Sequence, residues 1–274
     1  MPQVLTQPKS KTSVFLTKVY RDINYRNRNF IAICVGPTGS GKSWAMLNLC
    51  ETLDPEFNSN RVVLSIEQFQ TLIKSKLLRR GSFIMWDEGG AGISSRESLK
   101  QSNIWAMKVA QTMRNRNYGV CITVPSLGMI DKQIRQLAHY LLEPKIYYKN
   151  TGISLVGLKR LQNNVQLDRV YCYPPMLGVD GEYIIVDTLR LHRPSEKLVK
   201  EYESKKNEFQ EQLYNTDQDT LFEKLLNMHD KYKKVTESTG RIKIDKDLLK
   251  NDYHNLSDSQ IIRLKKRLEV ELNG

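Results

Sequence analysis

Long apolar runs are missing from this chain. No stretch approaches the roughly 18 residues that a membrane-crossing helix needs, and the N-terminus shows no apolar segment of the signal-peptide kind. Only 40% of the 274 residues are hydrophobic, and mean hydropathy is −0.49. A transmembrane segment is therefore not expected, and a cytoplasmic location is. Cysteine is scarce: Cys34, Cys50, Cys121 and Cys172 form no C-x-x-C pair, which speaks against a zinc site or a disulfide framework. Three of them fall on expected core elements, where a free thiol packs as a small apolar group. The histidines, at 139, 192, 229 and 254, are too scattered to suggest a metal cluster. Acidic residues are the scarcer charge, 30 against 42 Lys and Arg. The imbalance is uneven, because residues 1–192 hold 25 basic and 14 acidic residues and the remaining 82 hold 17 and 16. A basic surface on the larger part suits a polyanion such as DNA; a solvated face without a ligand is the other reading.

Within this polar chain, FIAICV at 30–35 is an apolar run of strand length and WAMLNLC at 44–50 reads as helix. Between them, 36–43 reads G-P-T-G-S-G-K-S. This is the phosphate-loop pattern G-x-x-x-x-G-K-[ST] in the strand–loop–helix context that the pattern requires. Gly36, Gly39 and Gly41 let the backbone turn its N–H groups toward phosphate oxygens, and the helix behind adds the positive end of its dipole. Lys42 is a point charge for β- and γ-phosphates, and Ser43 offers a hydroxyl to Mg²⁺. With Pro37, Thr38, Ser40 and Trp44 these residues make the expected nucleotide-binding set. ATP and Mg²⁺ are the expected cofactors.

About forty residues on, SFIMWDE at 82–88 is an apolar strand ending in two carboxylates, a Walker B pattern. Asp87, with Ser43, would hold the metal, and Glu88 would polarise the water that attacks the γ-phosphate. An acid beside the metal carboxylate suits hydrolysis by activated water and is not needed where a small-molecule hydroxyl is the acceptor. Between the motifs lie a turn-rich connection at 54–60, a β-branched strand at 61–65, and a helix over 66–78 with Ile66, Phe69, Ile73 and Leu77 on one face. After the acids, GGAG at 89–92 is a flexible loop, a helix spans about 103–115, and VCITV at 120–124 is a buried strand stopped by Pro125. Upstream, 1–14 reads as a flexible arm. Residues 15–29 mix Lys18, Arg21, Arg26 and Arg28 with Tyr20 and Tyr25, which suits either a grip on nucleic acid or an ordinary surface segment.

Downstream, a helix is expected over 127–143. Short β-type runs at 146–148, 153–156, 170–173 and 183–186 then form a β-meander that completes or extends the sheet. Residues 194–213 read as a charged helix with a thin stripe of Leu198, Tyr202, Phe209 and Leu213. Residues 215–240 look polar and helical. Two short helices end the chain, the second announced by a Ser257/Gln260 capping box.

The segment AQTMRNRNYGVCITVPS at 110–126 resembles the corresponding part of the FtsK/HerA superfamily of P-loop ATPases. These are ring-forming DNA pumps that include translocases, packaging ATPases and zonular-occludens-toxin-like assembly ATPases; members from archaeal viruses and plasmids look most similar. The likeness covers about 30–145 and is strongest at the two Walker segments. It implies an α/β P-loop NTPase fold of the additional-strand, catalytic-glutamate type, a division in which a further strand such as 61–65 separates the two motifs. It also implies that Arg116, or else Arg114, reaches the γ-phosphate of a neighbouring subunit. Arg116 is the first choice because it lies nearer the turn; a solvated cationic helix end is the alternative for either. The superfamily usually carries a glutamine at the end of its sensor strand. This chain has Thr123 and then Val124, so Thr123 is the candidate polar sensor.

The expected organisation is a flexible arm at 1–14, an ATPase domain at 15–192 with a small β-meander, and an α-helical extension at 193–274. The resemblance implies ATP hydrolysis coupled to DNA translocation or genome packaging by a homo-oligomeric, hexameric ring. Double-stranded DNA is the expected partner, with a capsid or membrane partner in addition. The alternatives are a membrane-associated virion-morphogenesis ATPase acting on protein cargo, a small-molecule kinase, and a nucleotide-gated scaffold that hydrolyses negligibly.

Overall fold

The computed structural model describes residues 10–87, 115–130, 132–164, 166–179, 181–235, 241–253 and 258–273. The chain divides into two compact units, Met1–Lys206 and Asn207–Gly274. In the first, the apolar runs build the centre. β1 (Phe30–Val35), β3 (Phe83–Trp86) and β4 (Gly119–Val124) are covered on both faces, which is why they read as continuous hydrophobic stretches rather than alternating ones. With β2 (Val62–Val63) and β5 (Tyr140–Tyr148) they form a parallel sheet in the order β5-β1-β4-β3-β2. The strand at 61–65 thus shrinks to two residues at the sheet's edge. It separates the two motifs in sequence but not in space; β4 lies between them.

β6 (Ile153–Asn164), β7 (Arg169–Tyr173) and β10 (Thr188–Leu191) continue the sheet antiparallel beyond β5. β8 (Met176–Val179) and β9 (Glu182–Ile185) pair with each other. Alternation along β1 sorts the core into two layers. Phe30, Ala32 and Cys34 pack with the buried faces of α1 (Lys11–Asn24) and α2 (Lys42–Leu53). Ile31 and Ile33 pack on the other side with Phe69 of α3 (Ile66–Lys74) and with Ile134 of α4 (Lys132–Leu137). The result is a mixed α/β fold whose parallel centre fits that of P-loop NTPases. No helix among the described residues is long and apolar enough to cross a membrane.

Further segments depart from the sequence reading. Residues 11–24 are a helix with a buried face rather than an arm end leading into a surface segment; residues 1–9 of the expected arm lie outside the described residues. The Ser10 hydroxyl accepts the Ser13 N–H at 3.1 Å as a cap, and Val14, Phe15, Val19 and Ile23 form one buried face. Phe15 sets its ring edge-on to Phe30 and Tyr140, so the helix belongs to the core. The helix expected over 127–143 is reduced to a 3-10 turn at Leu127–Met129 and to α4. From Tyr140 the chain is strand, because Tyr140, Leu141 and Leu142 pair with Ala32, Ile33 and Cys34 in the middle of the sheet. Pro144 sits inside β5 where the register with β6 shifts, a place that tolerates its missing N–H.

The second unit has a core of its own. The end of α5 (Glu196–Asn227), the hairpin of β11 (Lys233–Val235) and β12 (Ile242–Ile244), α6 (Lys246–Asp252) and α7 (Asp258–Asn273) enclose it. Phe222, Leu225, Tyr232, Ile244, Leu249, Ile261, Leu264 and Leu268 are its buried members. The hairpin interrupts the region read as polar helix.

Candidate active site

The glycine-rich loop joins the C-terminal end of β1 to the start of α2. Gly41, the residue before the helix, has φ 85°, a conformation that would strain any residue with a Cβ. At Gly36 a Cβ would come within 2.9 Å of the Ser40 hydroxyl oxygen. Backbone conformation thus favours glycine at position 41, and a close contact favours it at position 36. Lys42 Nζ donates to the carbonyls of Gly36 and Pro37, both at 2.8 Å, which curls the ammonium over the loop's own rim.

Below the loop, register brings distant residues together. In the parallel pairing of β1, β4 and β3, Cys34 lies opposite Thr123 and Ile122 lies opposite Trp86. Thr123 therefore stands between the phosphate loop and the end of β3, where Asp87 follows. Asp87 is fully buried. Its Oδ1 accepts from Ser43 Oγ at 2.8 Å and from Thr123 Oγ1 at 2.6 Å. Its Oδ2 accepts from the Tyr202 hydroxyl at 2.5 Å and from Lys206 Nζ at 3.1 Å. Burial pushes this carboxyl's pKa up, but the Lys206 ammonium and the three hydroxyl donors outweigh it and hold the pKa below the usual carboxylate value. The group is an anion. Burial and the same anion push the Tyr202 phenol well up, so it remains a donor.

Lys42, Ser43, Asp87 and Thr123 line one pocket of about 680 Å³. Thr38, Gly39, Ser40, Gly41 and Trp44 line it as well. At its rim the Trp44 indole meets Tyr147 edge-on, with ring centres 6.0 Å apart, and the Arg193 guanidinium lies 5.1 Å over the indole. Among the described residues no group of three His, Cys, Asp or Glu side chains is placed to hold a metal ion. Magnesium, which favours a hydroxyl, water and substrate phosphates over an all-protein cage, still suits the Ser43 and Asp87 oxygens at this place. Burial pushes the Cys34 and Cys50 thiols up, which makes them packing groups rather than nucleophiles.

Glu88 and Arg114 lie outside the described residues. Arg116 is exposed, and its carbonyl accepts the Gly81 N–H. It precedes β4, whereas the phosphate loop follows the C-terminal end of the parallel β1. Four steps of ~3.3 Å along β4 put its first residue, Gly119, about 13 Å from Thr123, and Arg116 precedes that end of the strand. It does not join its own subunit's site. Tyr202 and Lys206 are the site residues that sequence reasoning missed. In sequence Tyr202 reads as a member of the apolar stripe of 194–213, and Lys206 as one charge among many on that helix. Their four-residue spacing places both on one side of α5, but nothing local says that this side meets Asp87.

No protein-family model matches the chain, and no curated protein matches it. Among solved structures, it is similar to the N-terminal domain of zonular occludens toxin from Neisseria meningitidis, with 14% identity and a TM-score of 0.31 over 53% of this chain and 94% of that one. It is also similar to the genome packaging NTPase B204 of Sulfolobus turreted icosahedral virus 2, in complex with AMPPCP. There the identity is 11% and the TM-score 0.34, over 54% of this chain and 98% of that one. At scores this low neither likeness assigns chemistry to this chain.

Proposed function

We propose that this protein binds and hydrolyses ATP at the β1–α2 loop as a P-loop NTPase of the additional-strand, catalytic-glutamate type. We further propose that it works as a homo-oligomeric ring moving DNA, as genome-packaging ATPases do. The observation that carries the reading is the convergence of Ser43 and Thr123 on the buried Asp87 anion, directly under the phosphate loop. The position of β4 between β1 and β3 supports the additional-strand assignment.

The loop amides and Lys42 would cradle the polyphosphate, with Lys42 exchanging its two carbonyl partners for phosphate oxygens. The Trp44 and Tyr147 rings at the rim suit the flat face of a purine. Ser43 and Asp87 would hold Mg²⁺, which when bound neutralises charge on the β- and γ-phosphates. Thr123 fixes the Asp87 carboxylate and stands where it can report on the γ-phosphate. Glu88, the next residue after Asp87, is assigned the general-base role. Arg116 is too far from its own site, which supports a role at a neighbouring subunit's site. The net charge of residues 1–192 supports a polyanionic cargo.

The test is the steady-state ATPase rate of wild type and Glu88→Gln against protein concentration, with and without linear double-stranded DNA. The wild-type rate per subunit should rise with concentration and with DNA, and Glu88→Gln should bind ATP but lose at least ~100-fold in turnover. Normal turnover by Glu88→Gln would sink the catalytic assignment. A rate indifferent to DNA and to concentration would sink the ring translocase.

A further inference from the structure

Asp87 uses both oxygens fully. An ionised carboxylate has about four lone-pair sites, and Ser43, Thr123, Tyr202 and Lys206 supply four donors. The last two come from α5, well outside the strand-and-loop core that carries the nucleotide motifs. Lys206 brings the positive charge, and the side chain is largely covered, at 23% exposure against 0% for Asp87. Tyr202 shares the oxygen, and Lys206 Nζ also lies 3.3 Å from the Tyr202 hydroxyl.

The start of α5 is anchored beside this pair at several points. Leu198 and Tyr202 are buried in the sheet's core. Glu201 accepts from the Ser59 hydroxyl at 2.9 Å, and Lys205 Nζ donates to the carbonyls of Ser59 and Val62. Lys206 is thus delivered to Asp87 by a docked helical turn rather than by a loose side chain. Both Lys206 and Tyr202 line the nucleotide pocket.

The same carboxylate is the one proposed above to serve magnesium. A cation and its hydration shell beside Ser43 would draw on this one carboxylate, and an ammonium ion already holds its Oδ2. Two cations cannot share it at hydrogen-bond distance without repulsion in a buried site. We propose that Lys206 is a built-in counter-ion of the metal carboxylate, which gives up Asp87 when magnesium nucleotide binds. The inference rests on the P-loop reading. Metal loading is then opposed by the α5 turn that carries Tyr202 and Lys206, and this turn loosens from Asp87 when the site fills. The released ammonium lines the pocket, where polyphosphate oxygens would offer it an anionic partner. Charge is conserved in the exchange: Asp87 trades one cation for another, and Lys206 trades one anion for another.

The experiment compares the affinity of a fluorescent, non-hydrolysable ATP analogue in EDTA and in excess Mg²⁺, for wild type, Lys206→Met and Lys206→Arg. The ratio of the two dissociation constants measures how much magnesium helps the nucleotide. Removing the competing cation should raise this ratio at least tenfold in Lys206→Met, whereas Lys206→Arg should stay near wild type. An unchanged or smaller ratio in Lys206→Met overturns the proposal. Hydrogen exchange on wild type gives a second readout should Lys206→Met fail to fold. The amides of residues 198–206 should lose protection with analogue plus Mg²⁺ relative to analogue in EDTA. Equal protection in the two states also overturns it. Failure of wild type to bind the analogue in either condition would instead remove the P-loop reading beneath it.

Discussion

His139 makes a sharp stability prediction. It precedes β5, and its ring lies against the middle of the sheet. The Nδ1 atom accepts the Ile31 backbone N–H at 2.9 Å, while the His139 N–H donates to the Ile31 carbonyl at 2.8 Å. An Nδ1 that accepts cannot carry a proton, so the fold requires the neutral ring. Burial lowers the pKa from 6.5 to about 4, with Lys18, Arg160 and Arg28 adding to the effect and Asp22 opposing it. The folded pKa is depressed for a basic group, so the unfolded chain binds more protons between about pH 6.5 and pH 4. Stability is full above that window and falls as pH drops through it. The two values give a loss of about 2 kcal/mol between pH 7 and pH 5. Partial exposure of the ring trims this to between about 1 and 2 kcal/mol.

The assay is urea unfolding followed by tryptophan fluorescence. All three tryptophans, at 44, 86 and 105, fall in the first unit, so the signal reports on it alone. His139→Gln keeps an acceptor for Ile31 but cannot titrate. It should flatten the pH 5 to pH 7 slope relative to wild type. Equal slopes in the two proteins would refute the claim that the neutral imidazole is what the sheet demands.

Gly119→Ala should destabilise by about 1–3 kcal/mol, seen as a lower melting temperature. A Cβ there would lie 2.4–2.5 Å from the Phe83 ring, which is itself buried and cannot swing clear; an unchanged melting temperature would contradict that packing. Asp54→Ala should cost about 3–5 kcal/mol in urea unfolding. Buried Asp54 pairs with Arg61 at 2.5 Å and accepts the Phe83 N–H at 2.9 Å, so a loss under ~1 kcal/mol would show that the pair is dispensable. Mixing Arg116→Ala with Lys42→Ala should restore ATPase activity that neither has alone. In such mixed assemblies the second protein lends its arginine to the first protein's intact site, and failure of rescue would count against Arg116 as the donor.

Much of the core was legible because of how it is buried. FIAICV, FIMW and VCITV are covered on both faces, so burial leaves continuous apolar runs that no other local structure explains as well. The phosphate loop was legible because its glycines are backbone requirements, visible here in the φ of Gly41 and in the Ser40 contact at Gly36. The run Tyr140 to Leu142 was not legible as strand. Apolar residues there suit either period, and pairing with β1 decides the matter. The buried face of 11–24, made by Val14, Phe15, Val19 and Ile23, is masked in the sequence by Lys11, Lys18 and Arg21.

Sequence by itself therefore determined the loop's backbone geometry, the buried strand that leads into it, and a second buried strand that ends in a carboxylate. These are properties of neighbouring residues, carried by spacing and composition. Only the tertiary structure decided that Thr123 joins Ser43 on the same oxygen of Asp87, that Arg116 is remote from them, and that Tyr202 and Lys206 close the ring of donors around Asp87. Strand order set the first two, since a parallel β4 between β1 and β3 brings its C-terminal end to the loop and takes its start away. The docking of α5 set the third, across more than a hundred residues of chain, a separation at which local propensity carries no information.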